Sequence, residues 1–181
     1  EMCIRDRVTW LGYPNTTGLR TIGYRITDAI VDPPGAVEAN HTEQLVRLEN
    51  GFLCYEPWAT APNVTLPPSA ESGKITFGSF NNLAKIGPSV IAAWSRILRS
   101  VEGSRLILKA MPFADSGVQR LFEARFKAHG VTRRQLQFFP EAAGVDEHLA
   151  RYADIDIALD PFPYCGTTTT CEALWMGVPV I

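Results

Sequence analysis

The sequence lacks an excess of either charge, a long hydrophobic run and a signal-peptide pattern. Lys and Arg number 17 and Asp and Glu number 19 among 181 residues, so the formal net charge is −2. A near-neutral chain gives no support for a general nucleic-acid-binding surface or for a polybasic membrane-binding surface. No apolar run approaches the ~18 residues that a membrane-spanning helix needs. We therefore expect neither a nucleic-acid partner nor a membrane.

Cysteine is also scarce. The four cysteines, Cys3, Cys54, Cys165 and Cys171, are too few for a disulfide scaffold, and none of them forms a CxxC pair. The three histidines do not combine with them at the ligand spacing of a metal site. The sequence therefore predicts reduced thiols in a cytoplasmic protein and no metal ion.

What the sequence does contain is typical of a globular protein. Hydrophobic residues make up 46% and charged residues 20%, which argues against disorder and coiled coil. The length predicts one domain, or one domain with a piece of another. Prolines gather between residues 57 and 68, where we expect a boundary or crossing segment. We expect one unit over residues 1–70 and a second over residues 71–181.

The two ends of the sequence predict a fragment of a longer protein. The chain starts on Glu1 rather than Met, and it stops where an apolar strand predicted from Val178 has just begun. Residues 1–7 also read unlike the residues that follow. We expect those residues to be non-native.

The apolar pattern predicts the order of helices and strands. Residues 8–70 hold predicted strands at 8–11 and 24–32 and a short helix at 43–49. From residue 75 the two kinds of element alternate, with strands at 75–80, 105–109, 136–139 and 155–160 and with helices that begin at Pro88, Ser116, Glu147 and Thr168. This alternation predicts an α/β fold with a doubly wound parallel sheet. In such sheets ligands bind beyond the carboxyl ends of the strands.

Some side chains are expected to have purely structural roles. Trp94 and Trp175 lie on apolar helical stripes, so both are predicted to be in the core. Ser116 and Gln119 have the spacing of a capping box. Lys109 ends a predicted strand and has no distinguishing partner in the sequence.

The loop from Cys165 to Thr170 is the best candidate for a phosphate site. It leads from a strand end into a helix start, where free backbone amides and the helix dipole attract phosphate. Gly166 permits close approach of the backbone, and the threonine hydroxyls are additional donors. Glu172, in the first turns of that helix, has two oxygens that can accept both hydroxyls of a ribose. An ordinary helix cap with a surface glutamate explains the same residues without a ligand.

Two further pairs of polar residues follow strand ends. Lys85 can place a charge on a phosphate, with the Asn82 amide beside it. His148 and Arg151 lie three apart on one helical face and suit a nucleobase by stacking and hydrogen bonding. From spacing alone, solvated surface side chains explain both pairs as well as a ligand site does.

Three motifs together resemble one known family. They are Val-Thr-Trp-Leu-Gly-Tyr-Pro-Asn-Thr-Thr-Gly at 8–18, Phe-Gly-Ser-Phe-Asn-Asn-Leu-Ala-Lys-Ile at 77–86, and the segment from Leu159 to Pro179. In this order they resemble the catalytic region of the O-linked N-acetylglucosaminyltransferases. These enzymes form glycosyltransferase family 41, which also includes the SPINDLY-type protein O-fucosyltransferases. The resemblance runs from about residue 8 to residue 181.

The resemblance implies a GT-B fold, in which two Rossmann-like lobes hold a nucleotide-sugar donor without a metal ion. It also implies a protein acceptor and tetratricopeptide repeats upstream. The chain would then hold the end of the first lobe and most of the second. The catalytic histidine of the family would lie outside this chain.

The resemblance assigns roles to residues that meet the donor. Lys85 matches the catalytic lysine at the leaving diphosphate, and Asn82 stands where the N-acetylglucosaminyltransferase has Gln. Thr168 and Thr169 match the threonine pair at the diphosphate. Glu172 matches an aspartate at the ribose. The remaining matches are His148 on the uracil, Arg151 near the base, and Leu11, Gly12 and Pro14 along the sugar pocket.

Two donor-site positions depart from the N-acetylglucosaminyltransferase pattern. Thr167 replaces a histidine that touches the sugar, and Val145 replaces a lysine that contacts the nucleoside. UDP-N-acetylglucosamine and GDP-fucose therefore both remain open as donors. The motifs also fit a GT-B enzyme with a non-protein acceptor, or a nucleotide-binding module without catalysis.

Overall fold

The computed structural model describes residues 7–140 and 144–181. Residues 1–6, with Cys3 among the residues expected to be non-native, lie outside the described residues. The chain divides into two compact units, Glu1–Tyr55 and Glu56–Ile181. The division precedes the proline-rich segment, whereas the sequence pattern predicted a boundary at residue 70. The hydroxyl of Thr60 donates to Asp146 and the amide of Ser69 donates to Asp156, so this segment bonds to the second unit.

The first unit contains three parallel strands in the order β1-β2-β3: β1 (Val8–Thr9), β2 (Tyr24–Asp28) and β3 (Gln44–Leu48). The short helix predicted at residues 43–49 is wrong. Exposure alternates along β3, and Leu45 and Leu48 fall on opposite faces. Every residue of β3 pairs in register with β2. This pairing satisfies the backbone of a segment whose three-residue leucine spacing suggested a helix.

The strand predicted at residues 24–32 ends at Asp28 because the Asp28 carboxylate turns the chain. It accepts hydrogen bonds from the backbone amides of Ile30 and Val31, both at 2.9 Å. The hydrogen bond from the Val31 amide is the main reason that the pKa of Asp28 lies below its ordinary value. Proline at residues 33 and 34 prevents the strand from resuming.

The second unit contains a parallel sheet in the order β6-β5-β4-β7, with helices between its strands. The strands are β4 (Thr76–Ser79), β5 (Arg105–Lys109), β6 (Leu136–Phe139) and β7 (Ile157–Ala158). The helices are α1 (Ser69–Ser72), α2 (Pro88–Ser100), α3 (Ser116–Lys127), α4 (Val145–Ala150) and α5 (Thr168–Trp175). A bridge between Val180 and Ala158 extends the sheet in the parallel sense. The predicted parallel α/β sheet is confirmed.

Two hydrophobic clusters pack this unit. The larger cluster joins α2 and α3 to the strands, and Trp94 is buried in it as predicted. The smaller cluster contains Tyr152 and Met176. Trp175 is 51% exposed, so its predicted place in the core is wrong. Ala173 in helix α5 and Met176 just after it are buried instead. These two residues are three positions apart and share the buried face, and Trp175 lies outside that face.

Helix α3 begins at Ser116 as predicted, but its cap differs from the sequence prediction, and helix α4 begins two residues earlier than predicted. The carboxylate of Asp115 accepts from the Gly117 amide at 2.6 Å and caps α3. The Gln119 side chain donates to the Phe113 carbonyl at 2.7 Å, so the capping box predicted for Ser116 and Gln119 is wrong. Helix α4 starts at Val145 and passes into a 3₁₀ turn after Ala150.

The described cysteines, Cys54, Cys165 and Cys171, are free thiols. Burial raises the pKa of the Cys171 thiol, and the neighbouring Glu172 carboxylate raises it further. Among residues 7–140 and 144–181, no helix is long and apolar enough to cross a membrane.

Candidate functional site

The carboxyl edge of the second sheet carries two adjoining clefts. One, of about 300 Å³, begins where β4 and β5 end and is lined by residues 80–83, residues 109–112 and His148. The other, of about 330 Å³, is lined by Asn82, Lys85 and the loop residues Phe162–Tyr164, among others. Asn82 is common to both clefts. The edge is the place where ligands bind in sheets of this type.

Lys85 projects from a short 3₁₀ turn that follows β4. The Asn82 side chain starts this turn by accepting a hydrogen bond from the Ala84 amide at 2.9 Å. The Lys85 ammonium donates to the Cys165 carbonyl at 2.9 Å and lies 4.3 Å from the centre of the Tyr164 ring. The structure thus brings Lys85 to the loop that leads into α5. These residues lie far apart in the sequence.

The threonine loop before α5 is held by partly buried polar contacts. The Gly166 amide donates to Asp160 Oδ1 at 2.7 Å, and the Thr169 hydroxyl donates to Asn81 Oδ1 at 3.0 Å. A Cβ atom on Gly166 would lie 2.6 Å from Thr169 Oγ1 and 2.8 Å from Asp160 Oδ1. A side chain larger than that of glycine would therefore displace these polar side chains.

The start of α5 offers backbone and side-chain donors to the same edge. Thr167 occupies the N-cap position without a side-chain cap bond, and Thr167 and Thr168 are exposed. The first amides of a helix have no partner within it, so they are available to an anion. The hydroxyl of Thr169 is engaged by Asn81. The arrangement therefore suits a phosphate held by amides and by the exposed hydroxyls.

His148, on α4, lies between two ionisable side chains. Its Nε2 atom is 2.9 Å from Glu172 Oε2, and its Nδ1 atom is in hydrogen-bonding contact with Lys109 Nζ. The ring meets the rings of Phe80 and Tyr152 edge-on, with centroids 6.2 Å and 5.9 Å away. His148 lines the first cleft.

Sequence reasoning did not find Lys109 as a site residue. Lys109 is only 4% exposed, lines the first cleft, and has its ammonium 5.3 Å from the centre of the Phe80 ring. A lysine that ends the apolar strand Leu106–Leu108 at the carboxyl edge was the available signal. The identity of its partner could not be read from the sequence.

Glu172, on α5, accepts hydrogen bonds through one of its two oxygens. Besides the contact with His148, Oε2 accepts from the Tyr152 hydroxyl at 3.3 Å. The carboxylate is 14% exposed. Among the described residues no donor is bonded to Oε1, which leaves that oxygen for a ligand.

Arg151 takes a different direction from His148. Its guanidinium pairs with Asp154 at 3.3 Å and with Glu147 at 3.8 Å, and it stacks on the Phe139 ring at 4.6 Å. Among the described residues that line the two clefts, Arg151 does not appear. The local ion pairs with Glu147 and Asp154 explain this orientation.

Leu11, Gly12 and Pro14 lie in the first unit, in the exposed loop after β1. Leu11 has a positive φ of 61°, which is uncommon for a residue other than glycine. The buried Arg25 guanidinium holds the loop by donating to two backbone carbonyls, that of Tyr13 at 2.7 Å and that of Asn15 at 2.9 Å.

Glu43 fastens the end of the same loop. It is 5% exposed and accepts hydrogen bonds from the Thr16 hydroxyl and the Thr17 amide, each at 2.7 Å. Burial acts to raise the pKa of Glu43. The hydrogen bonds from Thr17 and Thr16 outweigh burial and lower the pKa to about 2.

Comparison with known proteins identifies the architecture. A family model described as Glycosyl transferase family 41 matches residues 59–181. The chain is 51% identical to the probable UDP-N-acetylglucosamine–peptide N-acetylglucosaminyltransferase SPINDLY of Solanum lycopersicum, over 97% of this chain and 19% of that protein. The chain belongs to glycosyltransferase family 41.

Two other similar proteins agree with this placement. The probable UDP-N-acetylglucosamine–peptide N-acetylglucosaminyltransferase SEC of Arabidopsis thaliana is 33% identical over 97% of this chain and 18% of its own length. A mutant of the Thermobaculum terrenum O-GlcNAc transferase is 39% identical, with a TM-score of 0.88 over 96% of this chain and 32% of that chain. The GT-B fold class that the resemblance implied is confirmed. The chain spans about a fifth of the length of the curated relatives named here.

Within this family 41 chain, the second unit brings together most of the residues selected from the sequence. Lys85, Asn82 and Thr168 lie around the second cleft and the loop beside it, and His148 and Glu172 lie beside the first cleft. Of the described residues, no group of three or more His, Cys, Asp or Glu side chains could hold a metal ion.

Proposed function

We propose that the protein that carries this chain transfers N-acetylglucosamine from UDP-N-acetylglucosamine to Ser or Thr hydroxyls of proteins, with inversion and without a metal ion. The names of the family 41 relatives support this donor and this kind of acceptor. We place the protein in the cytoplasm and expect tetratricopeptide repeats upstream. The observation that carries the proposal is the contact of Lys85 with the threonine loop, beside the pair of His148 and Glu172.

The proposed reaction is an in-line displacement. The acceptor hydroxyl oxygen forms a bond to the anomeric carbon as the bond from that carbon to the diphosphate oxygen breaks. The electron pair of the broken bond stays on the UDP leaving group. The proton of the hydroxyl passes to a base outside this chain.

The residues of this chain act on the leaving group. The Lys85 ammonium donates to the neutral carbonyl of Cys165, and a diphosphate oxygen is a stronger, charged acceptor. The free amides at the start of α5 and the exposed Thr168 hydroxyl offer hydrogen-bond donors to a negative charge at the same edge of the sheet. Such preorganised groups stabilise the charge that develops in the transition state.

The nucleoside would occupy the first cleft. The free Oε1 atom of Glu172 can accept from the ribose hydroxyls while Oε2 keeps its contacts with His148 and Tyr152. The His148 ring lines the same cleft and supplies a surface for the base. Because Arg151 is held by Asp154 and Glu147, it would have to change rotamer to reach the base.

Calorimetry of UDP binding to the full-length protein tests the proposal. We expect binding with the same affinity in the presence of a chelator, because amides, hydroxyls and one ammonium do the work of a cation. Binding that requires a divalent metal contradicts the metal-free site. Transfer of labelled sugar to a protein acceptor completes the test.

A protein O-fucosyltransferase that uses GDP-fucose is the second candidate. Thr167 and Val145 favour it, because both depart from the N-acetylglucosaminyltransferase pattern at the donor. Parallel assays with UDP-N-acetylglucosamine and GDP-fucose, on the same protein acceptor, separate the two. Transfer from GDP-fucose alone replaces the first proposal. Binding of a nucleotide without transfer from either donor indicates a binding module.

A further inference from the structure

Lys109, His148 and Glu172 form a continuous chain of polar contacts beside the first cleft. They come from three different elements: the end of β5, helix α4 and helix α5. Lys109 is 4% exposed, and the side chains of His148 and Glu172 are 22% and 14% exposed. The three are thus largely shielded from water, so their hydrogen bonds have well-defined partners.

The chemistry of the end groups decides where the protons lie. A carboxylate only accepts hydrogen bonds, so the proton between Glu172 and His148 belongs to His148 Nε2. An ammonium only donates, so His148 Nδ1 must offer its lone pair to Lys109. Lysine is ordinarily protonated and imidazole ordinarily neutral at neutral pH, and with these states every donor in the chain of contacts meets an acceptor, which assigns the shared proton to Lys109.

We propose that Lys109 is a positioning residue that holds His148 as the neutral Nε2–H tautomer and, through it, orients Glu172. The ligand that benefits, a nucleoside diphosphate, rests on the proposed function. With both ring nitrogens engaged, the imidazole plane is fixed beside the cleft. With Oε2 taken by His148 and Tyr152, Oε1 is directed to the ligand.

The tautomer can be measured without any ligand. We expect the [15N]histidine-labelled full-length wild-type protein to give a pyridine-type Nδ1 signal and a pyrrole-type Nε2 signal for His148 at neutral pH. The resonances are identified by their absence from His148→Gln. Two pyrrole-type signals, or a proton on Nδ1, overturn the proposal. This spectrum decides the assignment even where a Lys109 variant does not fold.

Binding measures the consequence for the ligand. Lys109→Met keeps the length of the side chain but removes its donors. We expect it to weaken the preferred nucleotide, UDP or GDP, by about tenfold, as for loss of one charged hydrogen bond. Inorganic pyrophosphate should bind as it does to the wild type, because Lys85 and the threonine loop are untouched. Lys109→Arg should restore most of the nucleotide affinity.

Lys127→Met, which removes an exposed lysine from α3, is the matched control and should change neither affinity. Unchanged nucleotide affinity in Lys109→Met overturns the positioning role, and so does a parallel loss of nucleotide and pyrophosphate binding. A wild-type protein that binds neither nucleotide nor pyrophosphate contradicts the proposed function instead. In that case the tautomer spectrum still tests the role of Lys109.

Discussion

Replacing Lys85 with alanine in the full-length protein tests the leaving-group role most directly. The ammonium donates a hydrogen bond to the carbonyl of Cys165 and lies over the exposed Tyr164 ring. Contacts of this exposed kind contribute about 1 kcal/mol or less to stability. We therefore expect the Lys85→Ala protein to fold with little change in its melting temperature.

The effect on catalysis should be much larger than the effect on folding. The negative charge on the diphosphate is greatest when the bond to the sugar breaks, so a fixed ammonium contributes most in the transition state. Loss of one such preorganised contact typically lowers kcat by about 10²–10³, or about 3–4 kcal/mol. The donor KM should change far less.

Steady-state kinetics with donor and protein acceptor measure both constants, and single-turnover measurements separate the chemical step from product release. Lys127→Ala, on the exposed surface of α3, is the matched control. A kcat equal to that of the wild type refutes the leaving-group role. A raised KM with unchanged kcat would instead assign Lys85 to uniform binding of the donor.

Three further predictions concern the fold around the sites. Gly166→Ala should destabilise the second unit by about 1–3 kcal/mol and weaken nucleotide binding, because its Cβ would lie 2.6–2.8 Å from three oxygen atoms. Thermal unfolding measures the first effect and calorimetry the second. In the control Gly23→Ala, whose Cβ would meet nothing within 4 Å, both quantities should stay unchanged. Gly78→Ala, whose Cβ would lie 2.5 Å from Ile155, should cost about 1–3 kcal/mol, and a double-mutant cycle with Ile155→Ala should recover part of it. Glu43→Gln should reduce the acid sensitivity of the first unit. The wild-type carboxylate, with a pKa of about 2, adds stability above pH 4.5, and this stability is lost as the pH falls toward 2. Hydrogen exchange of the first unit at several pH values measures the difference between the two proteins.

The sequence predicted the second unit well because its elements are set by local apolar patterns. The predicted strands at residues 105–109 and 136–139 coincide with β5 and β6, and α2 begins at the predicted proline. The first unit was harder, because β3 is a half-exposed strand whose two leucines are spaced as in a helix. Pairing with β2, a contact between distant parts of the chain, decided its structure.

The site residues likewise fall into those that local sequence order predicts and those that depend on distant contacts. Helix starts and strand ends located Lys85 and the threonine loop, because the rules for anion sites depend on local order along the chain. For Glu172 and His148 the residues alone also allowed a ligand-free explanation, and the family resemblance favoured a place at the donor. It did not supply Lys109, whose importance depends on a histidine that lies 39 positions further along the sequence.

The buried amide of Asn81 shows why such contacts escape a reading along the chain. Asn81 directly follows Ser79 and Phe80 at the end of β4, and it is 7% exposed. Its Oδ1 accepts from Thr169, and its Nδ2 lies 3.5 Å from Asp160 Oδ1, which in turn accepts from the Gly166 amide. A buried amide must satisfy its donors and acceptor, so one side chain fixes the end of β4, the loop after β7 and the start of α5 relative to one another. The geometry at which Lys85 meets the threonine loop therefore depends on a residue that need not touch the donor.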